Sequence, residues 1–159
     1  MFAWLTQTTG GKLLATFFIS MVPIVELRAG LPYGIALGLP YPLALTAAVL
    51  GNLLPAPLIT IFVRRFFAWL RKKSGRLNAW VVKTEENAHL KGELVSKYGP
   101  VGLCLLVAIP LPGTGVWTGS LVAALLNLRL KRALPAIVVG VLIAAGIMTA
   151  VTYGLIHIL

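Results

Sequence analysis

Aspartate is missing from this chain of 159 residues, and its only acids are four glutamates. Charged residues of both signs fill 11% of positions, against 58% for hydrophobic residues. Soluble domains carry about 25% charged residues, so a water-soluble fold is excluded and the bilayer is the solvent. The single cysteine, Cys104, allows no internal disulfide. No Cys/His spacing suits zinc or an iron–sulfur cluster, so redox chemistry, structural metal and cofactors are not expected. There is also no nucleophile with a base, no metal triad and no Walker loop, so nothing supports an ATPase or hydrolase, and the chain reads as a non-enzyme.

What is abundant is positive charge, with 14 Lys and Arg and a net charge of +10. Nucleic acid is not the expected partner, because the cations flank apolar stretches, where positive-inside topology and anionic lipid head groups account for them. Apolar material falls into residues 13–41, 42–63, 98–128 and 133–159, all within one membrane domain, 1–159. The first stretch has only Lys12 ahead of it and no small-residue cleavage site behind it, so it reads as mature structure and not as a signal peptide. Residues 42–63 and 133–159 are long enough to cross a hydrocarbon core of about 30 Å.

The other two stretches are interrupted. Pro23, Glu26, Arg28, Gly30 and Pro32 break the first, and Pro110, Pro112, Gly113, Thr114 and Gly115 break the second. Each half-segment reaches about 15–20 Å as a helix, to the bilayer midplane. Re-entrant hairpins at 13–41 and 98–128 are therefore expected. Residues 64–97 carry nine Lys and Arg and belong in the cytoplasm, as does the Arg129, Lys131, Arg132 cluster; a second stretch that dips in and returns keeps both clusters on one side. The first hairpin then opens outside, leaving Lys12 out, and a single kinked span with Lys12 inside is the alternative.

The expected fold is thus an all-α inverted repeat of hairpin plus transmembrane helix, 12–63 and 98–159. An offset of 85 places Gly30 and Gly34 on Gly115 and Gly119. The linker 64–97 reads as an amphipathic helix in the cytoplasmic interface, carrying Phe66, Phe67, Trp69, Leu70, Leu77, Trp80 and Val81 and interrupted near Ser74 and Gly75. The Gly30–Gly34 and Gly115–Gly119 patterns suit close helix packing, with a dimerisation face as the alternative.

Paired interruptions in the two halves of a transporter point to its binding site. Glu26 and Arg28 are the only acid and base inside an apolar segment, and each costs about 2.5–3.5 kcal/mol on insertion scales. Either they neutralise each other or Arg28 caps broken-helix carbonyls, or else Glu26 titrates protons and Arg28 clamps an anion. The half-helix after Gly115 presents free N–H groups to an anion across from Arg28. Thr114 and Thr118 offer hydroxyls, and Trp117 either lines the cavity or packs. Asn52 either reaches the site or bonds across helices, and His89 and His157 have no evident role.

Glu26-Leu-Arg-Ala-Gly-Leu-Pro32 and Pro110-Leu-Pro-Gly-Thr-Gly-Val-Trp-Thr-Gly119 resemble the ELRG-x-IP-like and PLPGTG-x-WTG-like motifs of the small multi-drug export protein family. Ala29 stands where a glycine is expected and Leu31 where an isoleucine is. The resemblance implies kinship with the DedA superfamily, whose members have paired re-entrant loops and are implicated in moving lipid carriers such as undecaprenyl phosphate.

The combined expectation is a multi-pass protein of a bacterial inner membrane, a secondary transporter or lipid-carrier flippase, proton-coupled, for an anionic amphiphile such as a polyprenyl phosphate. Its site residues are Glu26, Arg28, Gly30, Pro32, Pro110, Pro112, Gly113, Thr114, Gly115, Trp117, Thr118 and Gly119. Its partners are membrane lipids, an amphiphilic or small-molecule substrate and protons, with a homo-oligomer possible. The alternatives are export of a cationic drug, with Glu26 as counter-charge, and a non-transporting assembly protein.

Overall fold

The computed structural model of the chain describes residues 7–73, 79, 82, 83, 86, 92–111 and 114–158. Among them every regular element is helical. Helix α1, Thr9–Met21, begins where the Thr8 hydroxyl accepts the Gly11 N–H at 3.1 Å, satisfying one of the four orphan donors of a helix start. It stops at Val22, which is extended at φ −70, ψ 130 because Pro23 follows. The chain turns through Ile24, at φ 78, into α2, Glu26–Ala36.

Helices α1 and α2 form an antiparallel hairpin held by small residues. Gly34 lies over Thr16, where a Cβ would fall 2.8 Å from Oγ1, and Gly30 lies over Ser20, where a Cβ would fall 3.0 Å from the Ser20 Cβ. Thr16 and Ser20 turn their hydroxyls back to the carbonyls of Lys12 and Thr16, at 2.8 Å each. Both are fully buried without an orphaned hydroxyl. The Gly30–Gly34 pattern thus packs within the chain.

Helix α3, Tyr41–Leu53, passes into α4, Pro55–Lys73, through Leu54, which is itself helical at φ −57, ψ −40. Pro55 and Pro57 lack N–H groups, so the pair is one long helix jointed there. Its apolar run Tyr41–Trp69 has 29 residues, about 43 Å and longer than the hydrocarbon core. The helix does not stop at Val63, where the span is expected to end: α4 runs ten residues further, with no glycine or proline from Leu58 to Lys73. The expected break at Ser74 and Gly75, with Leu77, Trp80 and Val81, lies outside the described residues.

The second half opens with the short helix α5, Glu93–Tyr98, which Gly99, at φ 57, folds back onto α6, Pro100–Ala108. Ile109 is extended before Pro110 and ends α6 as Val22 ends α1. Then follow α7, Val116–Leu125, and α8, Leu130–Ile158. The apolar run Leu130–Gly154 has 25 residues, about 38 Å. Helices α1, α2, α6 and α7, of 13, 11, 9 and 10 residues, span at most about 20 Å, so none crosses a bilayer alone.

Helices α2 and α7 stop in the same way. Gly38, at φ 78, and Asn127, at φ 53, take the left-handed position, and the next residue's N–H reaches back to a helix carbonyl, Leu39 to Gly34 at 3.1 Å and Leu128 to Ala123 at 3.0 Å. These stops are 89 positions apart, four more than the offset of 85 suggested by glycine spacing.

Helix α8 serves two cores. Its Ala144 and Ala145 pack with Leu27, Leu31, Ala44 and Ala48 of the first half. Its Ala133, Ile137 and Val141 pack with Leu103, Val107, Val116 and the Ala56 of α4. Large apolar side chains also face outward, among them Leu50 at 60% exposure, Phe62 at 68% and Leu142 at 56%. In water so much exposed apolar surface is a liability; on two helices long enough to cross a bilayer it is a lipid-facing surface, and the protein is a membrane protein.

Candidate functional site

Each hairpin has a break, and the two breaks meet. Between α6 and α7, Pro110 halts the helix and Thr114 gathers the loose ends. The Thr114 hydroxyl lies 2.7 Å from the carbonyl oxygens of Ile109 and Leu111, donating to one at a time, and accepts the Leu111 N–H at 3.2 Å. Arg28 of α2 completes this knot from the other hairpin. Its Nη2 donates to the Thr114 carbonyl at 3.0 Å and to the Thr114 hydroxyl at 2.8 Å, and its Nη1 donates to the Leu111 carbonyl. A planar guanidinium suits this task because its donors point as a fixed fork. Arg28 thus caps the carbonyls of the broken helix, one of the roles open to it.

Glu26 performs the converse task. It opens α2 at φ 48, an unfavourable backbone for a residue with a side chain, and it is 4% exposed. Its Oε1 accepts the Trp117 N–H at 3.2 Å in the first turn of α7. The N-terminal end of a helix carries about half a positive charge, so a carboxylate is stabilised there. The approach requires Gly115, whose φ of 115 suits glycine and whose Cβ, if it had one, would fall 2.7 Å from the carboxyl carbon. The group seated at the start of α7 is therefore the Glu26 carboxyl itself. Trp117 closes the arrangement by donating its indole N–H to the Met21 carbonyl at the end of α1, at 3.0 Å.

Beside these contacts lies a cavity of about 270 Å³, lined by Pro23, Ile24, Glu26, Arg28, Thr114, Trp117, Thr118 and Leu121. Five of the expected site residues thus meet at one cavity, and Gly115 backs Glu26. Gly30 packs on Ser20, and Gly119 packs on Val107, where a Cβ would fall 2.6 Å from a methyl group. Pro32 lies within α2 and Pro110 ends α6. Pro112 and Gly113 lie outside the described residues, as does His89. Asn52 is 3% exposed, does not line this cavity, and its Oδ1 has no hydrogen-bond partner. Among the described residues no three His, Cys, Asp or Glu side chains gather as a metal would need.

One polar contact was not legible in advance. Arg64, read as the first cation of the cytoplasmic linker, donates from α4 to the Leu128 carbonyl at the stop of α7, and the two helices pack along their length. A basic side chain at a helix C-terminus is electrostatically favourable. The available signal was the juxtaposition of an exposed helix stop at Asn127 and the first cation after an apolar run, but sequence does not say that these two ends meet.

The family model of the small multi-drug export proteins matches residues 26–147, a stretch that runs from Glu26 at the start of α2 through the α6–α7 break and into α8. Neither a curated protein nor a solved structure matches the chain.

Proposed function

The chain belongs to the small multi-drug export protein family, and on that premise we propose that it is a proton-coupled membrane carrier for an anionic amphiphile whose head group enters the Glu26–Arg28 cavity. The observation that carries this reading is the Glu26 carboxylate seated on the Trp117 N–H at the edge of that cavity. In this reading Glu26 is a built-in stand-in for the substrate anion. When Glu26 takes up a proton its hold on the α7 N-terminus weakens, the N–H groups become free, and an anionic head group takes its place beside Arg28. When the substrate leaves, Glu26 gives up the proton and returns. Proton and anion thereby compete for one helix end, which couples their movements.

Size favours a head group over an entire drug. The cavity of about 270 Å³ is below the roughly 300–1,000 Å³ usual for sites that enclose drug-sized ligands. Its rim is apolar, with Ile24 92% exposed and Leu121 39% exposed, so a hydrocarbon tail can stay in the lipid. A polyprenyl phosphate has this chemistry, and a flippase for such a carrier is the specific form of the proposal. Re-entrant hairpins related by an inverted repeat belong to the same reading. They are supported by four helices too short to cross alone and by matching features 89 positions apart, the left-handed stops at Gly38 and Asn127 and the positive-φ starts at Glu26 and Gly115. The bacterial inner membrane is the setting proposed.

A second reading follows from the family's description, export of a small-molecule drug; for a lipophilic cation Glu26 would serve as the counter-charge. Flux into sealed vesicles, measured with a polyprenyl phosphate and separately with a lipophilic cation, distinguishes the two. For the anion carrier, Arg28→Ala abolishes polyprenyl phosphate flux and Glu26→Gln leaves flux that no longer responds to a pH gradient. Cation flux abolished by Glu26→Gln and spared by Arg28→Ala would overturn it. Vesicles indistinguishable from empty ones with either probe would instead support a non-transporting assembly protein.

A further inference from the structure

On the outer face of α6 and α8 lies a larger groove, about 410 Å³, which shares no residue with the Glu26–Arg28 cavity. Gly140 accounts for its shape. A Cβ there would fall 2.8 Å from both the Cys104 carbonyl oxygen and the Val107 Cβ, so the two helices touch at that level. Toward their N-terminal ends the groove lies between them, with the small Ala136 and Pro135 on its α8 wall and Val101 and Cys104 on its α6 wall. Its walls are apolar, from Val101, Cys104, Pro135, Ala136 and Val139, and its only charged lining residues are Lys131 and Arg132, both exposed at one end.

That end is positive for a second reason. Helices α6 and α8 run parallel and start there, α6 has no side-chain cap on its N-terminus, and no acid lines the groove. Two helix starts and two cations converge at the mouth of an apolar trough. The trough is continuous with lipid-facing side chains, Val101 being 65% exposed and Val139 48%.

We propose that this groove binds an anionic phospholipid of the surrounding bilayer, with its phosphate at Lys131 and Arg132 and one acyl chain laid along Cys104, Ala136 and Val139. Charge complementarity selects this occupant. A peptide finds no donors or acceptors along the walls to satisfy its backbone. A second copy of the chain, packed here about a two-fold axis, brings four cations together at the same mouth. An anionic lipid satisfies both halves, since basic pockets at the membrane surface hold phosphate head groups and the apolar wall replaces lipid contacts that the chain already has.

Native mass spectrometry of the full chain, released from micelles containing equimolar phosphatidylglycerol and phosphatidylcholine, tests this. Each cation near the surface is worth about fivefold, so two give roughly a thirtyfold preference for one retained phosphatidylglycerol. Lys131→Gln with Arg132→Gln should bring the preference close to one. Ala136→Trp, which fills the trough and leaves the charge unchanged, should remove the retained lipid, while Arg129→Gln, outside the groove, should keep it. Because Lys131 and Arg132 are exposed, their double variant reads out binding even if Ala136→Trp fails to fold. Equal retention of the two lipids by the wild type, undiminished preference in the double variant, or a dimer lost with Ala136→Trp would overturn the proposal.

Discussion

Glu26 and Gly115 stand 89 positions apart in the chain and touch in the fold, the first giving its carboxylate to the start of α7 and the second clearing the space for it. Each begins the second helix of its hairpin with a positive φ. The absence of a side chain on one is what admits the charge of the other, so the two breaks form one joint.

Gly115→Ala should therefore do two things. At positive φ a Cβ costs about 1–2 kcal/mol, and it also expels the Glu26 carboxylate from the α7 N-terminus. We expect a lower melting temperature in detergent together with loss of transport. A variant with unchanged melting and flux would mean that Glu26 does not need this seat.

Thr114 ties Arg28 to the ends of α6 through one hydroxyl. Thr114→Val keeps the shape and removes the hydroxyl's bonds to Arg28, Ile109 and Leu111, at about 0.5–1.5 kcal/mol for a typical hydrogen bond. Thr114→Ser keeps the hydroxyl and should remain near wild type. Thermal unfolding of the pair checks this, and equal stabilities would remove Thr114 from the knot.

Arg28→Lys retains charge but replaces the fork by a point donor that cannot reach the Leu111 carbonyl, the Thr114 carbonyl and the Thr114 hydroxyl together. Stability should fall by about 1 kcal/mol for each bond lost. Denaturant unfolding that places Arg28→Lys with wild type would show that charge alone suffices.

Glycine contacts should be graded by what they meet. Gly51 of α3 faces main chain, with a Cβ 2.9 Å from the Phe17 carbonyl carbon, whereas Gly30 chiefly faces the Ser20 side chain. Gly51→Ala should cost more than Gly30→Ala, toward the upper end of the roughly 1–3 kcal/mol usual for overpacking, because α1 itself must shift. The reverse order would contradict the packing described.

Single cysteines at positions 97 and 130, in a Cys104→Ala background, should react with an impermeant maleimide from the same side of a sealed vesicle. Labelling from opposite sides would make the second hairpin a crossing and end the re-entrant reading.

Composition alone determined that this protein lives in a bilayer, because 11% charge in 159 residues cannot cover a water-facing surface. Motif and interruption singled out Glu26, Arg28, Thr114, Trp117 and Thr118, since proline, glycine and charge in an apolar run are costly enough to mark a joint. What sequence left open is which group satisfies which. Helix propensity explains why α4 runs past Val63 to Lys73, but nothing local says that Arg64 will find the Leu128 carbonyl. Nor does it say that the α7 N-terminus holds Glu26, or that Arg28 is engaged by carbonyls. Those outcomes join residues 64 to 91 positions apart, and only packing of the two hairpins against each other and around the long helices brings their free ends within hydrogen-bond reach.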